Sequence, residues 1–235
     1  MLRWVIAGLA TLSMASGAGA ATSLTFTSAS IGVLNQARFN GFTDSFGGGT
    51  TALPGLSARV HFTLQGISGN QWSFAYAVAN TSGVLATGSR VSIFGFDVSP
   101  ALRPAPNSAS ATGKFSRIGS GNVPLGRGSR DVCFRAGGGG GLCASGGGGG
   151  VTIGEAASTG VFKLIFAAPT TSVILNDLFV RYQSLNAPSQ NISGASGVGD
   201  VTSSLVPEPG TWAMLIFGFG TIGSAMRRSR SAATV

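Results

Sequence analysis

Charge is scarce in this chain. Asp, Glu, Lys and Arg make up only 9% of its 235 residues, against roughly 25% in soluble globular proteins. Surface polarity must come instead from Ser, Thr, Asn and the 38 glycines. That composition suits secreted, loop-rich β proteins and surface-matrix proteins, and argues against a cytosolic enzyme. Histidine occurs once, at His61, so two thiolates and one distant imidazole cannot fill a tetrahedral metal site. No Gly-x-Ser-x-Gly elbow accompanies that histidine, which excludes the usual serine-hydrolase arrangement. Cysteine occurs twice and never as Cys-x-x-Cys, which leaves a thioredoxin-type redox site without its motif. Amphipathic helical periods are also missing from Thr22 to Val206, so a helical bundle is excluded.

The formal net charge of +8 suggests a nucleic-acid partner until the charges are located. Arg3, Arg227, Arg228 and Arg230 lie at the two ends; without them and Glu208, the 15 basic and seven acidic residues fall to 11 and six, a net of +5. The remaining cations are scattered, apart from a loose group at Lys114, Arg117, Arg127, Arg130 and Arg135. No nucleic-acid motif accompanies them; that group could touch an acidic polysaccharide or lipid phosphate, and a plain solvated edge is its expected role.

Only two long apolar runs exist, one at each end. MLRWVIAGLATLSMASGAGA has a basic Arg3, an apolar stretch from Trp4 to Met14, and small residues at Ala18 and Ala20. These are the three regions of a secretory signal peptide, residues 1–20, with cleavage expected after Ala20 or, second, after Ala21. At the other end, Trp212 to Met226 is free of charge. A single transmembrane helix over 211–226 would be short, and Arg227 and Arg228 would have to snorkel. Arginines after such a span hold that end in the cytoplasm, with the domain outside.

The C-terminal residues carry a resemblance. Pro207-Glu208-Pro209, Trp212-Ala213-Met214, the Gly218-Phe219-Gly220 within the apolar run, and Arg227-Arg228-Ser229-Arg230 resemble the PEP-CTERM sorting signal in its PEPxxWA form. That resemblance covers residues 206–230. It implies recognition of Pro207, Glu208, Pro209, Trp212 and Ala213 by a membrane-embedded exosortase, with cleavage near the motif and delivery to the cell surface. Arg227, Arg228 and Arg230 would act as the membrane stop. The signal occurs in Gram-negative bacteria that make exopolysaccharide. The same tail is also labelled an ice-binding protein C-terminal domain, a label that says nothing of the body. Irregular threonines argue against an ice-binding face there.

Between the ends, apolar and polar residues alternate with the period of half-buried strands. Val60, Phe62 and Leu64 alternate with polar neighbours, as do Trp72, Phe74, Tyr76 and Val78. Residues 90–98, 161–167 and 172–182 follow suit. Turns rich in Gly, Pro, Ser and Asn separate these stretches, and predict an all-β fold: one antiparallel β-sandwich or jelly-roll-like domain over 21–186. Three prolines in 100–106 mark a connection, and residues 187–205 read as a Ser/Gly-rich tether.

Cys133 and Cys143, an even pair in a chain read as exported, predict a disulfide that ties off a glycine loop. The five-glycine runs 137–141 and 146–150 around it read as flexible loop, since neither has the P-loop context. The six body acids, Asp44, Asp97, Asp131, Glu155, Asp177 and Asp200, would have to pair in a pocket for a hydrolase. Trp72, Tyr76 and Tyr182 are nominal stacking platforms for a sugar-binding module, although core packing explains Trp72 and Tyr76 at least as well. The body is similar to the cistern group of PEP-CTERM proteins in Asn80-Thr81-Ser82, Phe94-Gly95-Phe96-Asp97, the Cys133 and Cys143 loop, and Val180-Arg181-Tyr182. That similarity implies the disulfide and a single domain and brings no activity. The expectation is a non-catalytic, cofactor-free surface or matrix protein, structural or adhesive, whose partners are an exosortase-type enzyme, the membrane and exopolysaccharide.

Overall fold

The computed structural model describes residues 23–40, 43–44, 53, 55–83, 86–104, 108–138, 143–144, 148–190 and 192–205. Among these residues the fold is all-β: β1 (Leu24–Thr27), β2 (Leu34–Phe39), β3 (Thr43–Asp44), β4 (Ala58–Ser68), β5 (Gln71–Asn80), β6 (Gly88–Ser99), β7 (Ala109–Ala111), β8 (Arg117–Asn122), β9 (Ser129–Arg135), β10 (Val151–Thr152), β11 (Ser158–Ile165), β12 (Ser172–Ala187) and β13 (Ile192–Leu205). Two antiparallel sheets face each other, as the alternation predicts. The first runs β13-β12-β6-β9-β8, with β1 against β12, β10 against β6 and β3 against β13. The second runs β7-β11-β5-β4-β2-β13.

Parity along the strands decides what fills the space between the sheets. On β5, Trp72, Phe74, Tyr76 and Val78 point inward while Ser73, Ala75, Ala77 and Ala79 point out. β4 does the same with Val60, Phe62 and Leu64. Rings from opposite sheets then meet directly: Phe62 lies 6.1 Å from Phe94 and 5.9 Å from Phe96, and Tyr76 lies 5.2 Å from Phe94. Phe162 of β11 sits at the centre, 4.8 Å from Phe134 across the gap and stacked 4.9 Å from Phe74 beside it. Edge-to-face and offset contacts of this kind add to the burial of large apolar rings.

β6 departs from simple alternation. Arg181 pairs with Ile93 but the next residue, Tyr182, pairs with Val91, so Ser92 is an extra residue in β6. A bulge of this kind turns the side chains that follow onto the other face. Val91, Phe94 and Phe96 therefore join the main core, while Ile93 joins a smaller outer cluster with Cys133, Phe179 and Val198.

Residues 187–205, expected as a tether, form instead the end of β12, a 3-10 turn (Pro188–Gln190) and β13. The folded domain thus extends to Leu205. Composition misleads here because glycine and serine weaken a strand only where nothing offers them pairing. Both flanks of β13 are occupied: its first part pairs with β12 as far as Asp200, opposite Phe179, and its last part pairs with β2 from Val201, opposite Phe39. Fully buried Val198 anchors it. β13 therefore belongs to both sheets and makes the corner between them.

Replacing Phe162 by Ala should remove about 3–5 kcal/mol of stability, read as a lower midpoint in urea denaturation. A loss under 1 kcal/mol would mean that the rings do not depend on this centre.

Candidate functional site

The outer cluster is built around the disulfide. Cys133, on the outer face of β9, is bonded to Cys143 with a Cα–Cα distance of 5.7 Å, and both are fully buried. Gly95 lies beside it, and a Cβ there would sit 2.7 Å from both the Phe179 ring and the Val132 carbonyl oxygen. Only glycine lets the Phe179 ring lie against β6. Of the glycine runs, expected as flexible loop, Gly137, Gly149 and Gly150 are closely packed, while Gly138 and Gly148 face open space. A Cβ on Gly149 would meet the Ala136 carbonyl oxygen at 2.6 Å, and one on Gly137 the Gly149 nitrogen at 2.8 Å. Arg90 holds the same segment, donating from Nη1 to the Gly148 carbonyl at 3.0 Å. These glycines serve close backbone approach.

The three aromatics proposed as sugar platforms are all interior. Trp72 and Tyr182 are 0% exposed and Tyr76 is 2% exposed. The Tyr76 hydroxyl donates to the Thr112 carbonyl at 2.8 Å and accepts from the Phe115 N–H at 3.2 Å. The Tyr182 hydroxyl donates to the Phe39 carbonyl at 3.1 Å, and burial pushes its phenol far above the ordinary range, so it stays neutral. Strand parity puts Trp72 and Tyr76 on the core side with Phe74. The sugar-stacking role assigned to them is corrected accordingly.

Three of the body acids come near one another at one end of the β6–β9 pair. Asp131 accepts from the Val98 N–H at 2.8 Å, and Asp97 accepts from the Asp131 N–H at 2.9 Å. Arg130 lies 3.8 Å from Asp97 and donates from Nε to the Asp177 carbonyl at 2.7 Å. Burial pushes the Asp97 carboxyl above its ordinary value, while the Asp131 N–H and Arg130 pull it back. These carboxylates hold strand amides that the ladder leaves over. His61, on the outer face of β4, places Nε2 2.8 Å from Gln36 Oε1. Partial burial and neighbouring Arg59 lower its pKa, which favours the neutral ring. No group of three His, Cys, Asp or Glu side chains suited to a metal ion comes together among the described residues.

Two grooves are lined by none of these acids. One, of about 340 Å³, lies over β5 on the outer face of the second sheet, among Ala75, Ala77, His61 and Thr159. The other, of about 230 Å³, lies among Thr87, Arg90, Thr152 and Ser184. Neither follows from any sequence motif; the first depends on which β5 residues face out, a parity that the sequence does show.

The expected sorting and processing residues, Ala18, Ala20, Pro207, Glu208, Pro209, Trp212, Ala213, Arg227, Arg228 and Arg230, lie outside the described residues, as does the span 211–226. Among the described residues no helix is long and apolar enough to cross a membrane. The last described pair, Leu205 with Gln36, ends one residue before Val206. The family profile described as the PEP-CTERM protein-sorting motif matches residues 205–231. The chain carries a PEP-CTERM sorting motif. No curated protein and no solved structure matches the chain. The PEP-CTERM motif implies export, recognition by an exosortase and sorting to the cell surface. Its match begins at the residue where β13 ends.

Reduction of the disulfide, or Cys133→Ser, should cost about 3 kcal/mol by loop-closure entropy, measured by urea denaturation with and without reductant. The variant should lose its sensitivity to reductant. An unchanged midpoint on reduction would show that the glycine packing holds the loop without the bond.

Proposed function

We propose that the exported domain is a structural or adhesive component of the extracellular matrix, in contact with exopolysaccharide, and performs no catalysis. The observation that carries this reading is the sorting motif attached directly to the last strand of a disulfide-tied β-sandwich. Such a domain is addressed to the outside, and its last described strand ends where the address begins. The tail supplies the route: a signal peptide over 1–20 starts export, the 211–226 segment holds the precursor in the membrane, and an exosortase acts near Pro207-Glu208-Pro209. The PEPxxWA variant and the cistern-group membership belong to this same reading.

The acids offer little support for a hydrolase. Glycosidase carboxylates flank a bound sugar with free oxygens, whereas those of Asp97 and Asp131 accept from strand amides. A matrix role needs the opposite properties, namely a rigid body, a low surface charge and an oxidised cross-link that persists outside the cell.

The test is partition of the protein between matrix, cell and medium in the native host and in a strain unable to make exopolysaccharide. The protein should move from the matrix to the medium when the polymer is missing. Equal partition in both strains would remove exopolysaccharide from its function.

A further inference from the structure

We infer that the outer face of the second sheet binds an anionic polysaccharide, a polymer carrying carboxylates on its sugar rings, in the groove over β5. This assignment rests on the matrix reading and names the binding surface and the charge of the polymer. The groove is a product of strand register. Across the sheet, Gln36, His61, Ala77 and Thr159 stand in one row, and Leu34, Thr63, Ala75 and Val161 in the next. His61 and Thr63 form one wall, Thr159 and Val161 the other, and the two alanines the floor.

The alanines themselves call for an explanation. Alanine is depleted in strands, where β-branched residues pack better on a pleated surface. Yet β5, flanked on both sides by β4 and β11, presents Ala75, Ala77 and Ala79 on its outer face. Taller side chains there would level the surface; alanines leave it recessed and mildly apolar. A pyranose ring offers a matching C–H face.

Charge supplies the complement. The strands β2, β4, β5, β7 and β11, with the part of β13 from Val201 on, contain no Asp or Glu. Their outer face carries cations at both ends of the groove. Arg59, directly opposite Arg38, stands in the row beside Ala79, and Lys163 stands opposite Ser73. Ala79 lies six residue steps along the strand from Ser73, which puts the two cationic ends about 20 Å apart. That is a length for a chain molecule and not for a single small anion.

A flat lipid surface fits less well, since it would rest on the rims and leave the floor empty. A sugar polymer can lie in the recess, with carboxylates reaching the guanidinium of Arg59 and the ammonium of Lys163. The loose basic group around Arg117 and Arg127 belongs to the other sheet and its β8–β9 turn, and serves as the internal control.

The experiment uses the full chain in detergent solution with alginate, a polyuronate, and neutral dextran as probes. Expected are salt-sensitive binding to alginate and none to dextran. Arg59→Gln with Lys163→Gln should weaken alginate binding roughly tenfold or more, and Ala77→Asp, which puts an anion on the groove floor, should abolish it. Arg117→Gln with Arg127→Gln should leave it unchanged. The two glutamine pairs lie on the surface, so the comparison holds if Ala77→Asp fails to fold. Equal losses in both pairs, or an Ala77→Asp protein that folds and binds normally, would overturn the assignment. So would binding to phosphatidylglycerol vesicles but not to alginate. Polymer-dependent partition in the host without alginate binding would remove this groove assignment alone and leave the matrix reading standing. Alginate binding by a protein whose partition ignores the polymer would remove the matrix reading, and with it the biological sense of the groove.

Discussion

The stability of this domain depends on rings from one sheet reaching rings of the other. With charge at 9% of the chain, ion pairs contribute little, and exposed ones such as Lys114–Glu155 contribute least. Burial of aromatic surface takes their place. Phe162 touches Phe74 and Tyr76 on its own sheet and Phe96 and Phe134 on the facing one. Such a cluster fixes the distance between the sheets and their relative orientation, because each ring packs against several others. The outer faces are then free to carry small and weakly charged residues.

The second constraint is topological. β13 closes the first sheet against β12 and the second against β2, so the last strand joins the two halves. The sorting motif match starts where that strand ends. A cut near the motif therefore leaves every described strand in place, whereas a cut a few residues earlier would remove pairing from the second sheet. The sorting motif match and the domain meet without a spacer.

Much of this was legible in the sequence. Period-two alternation over β4 and β5 gave the strands, the parity and the buried face, and two cysteines in a chain read as exported gave the disulfide. Three features were not legible. β13 looks like a tether because its glycines and serines have weak intrinsic strand preference, and only the long-range partners β12 and β2 overrule it. Tyr182 is an aromatic residue with a polar handle, and sequence alone does not say whether such a handle meets solvent or a carbonyl such as that of Phe39. The Ser92 bulge, which sends Ile93 to the outer cluster, adds one residue to β6 without any local signature. The sorting motif stands apart from all three, being a linear signal that no long-range contact is needed to recognise.

The most direct test of the account is the intact mass of the protein recovered from the surface and matrix fractions of its native host, before and after reduction. The expected chain begins at Ala21, or at Thr22, ends between Val206 and Pro209, and gains the mass of two hydrogens on reduction. A mass that still includes Arg227 to Arg230 would contradict processing at the motif. A mass ending before Leu205 would contradict a domain completed by β13.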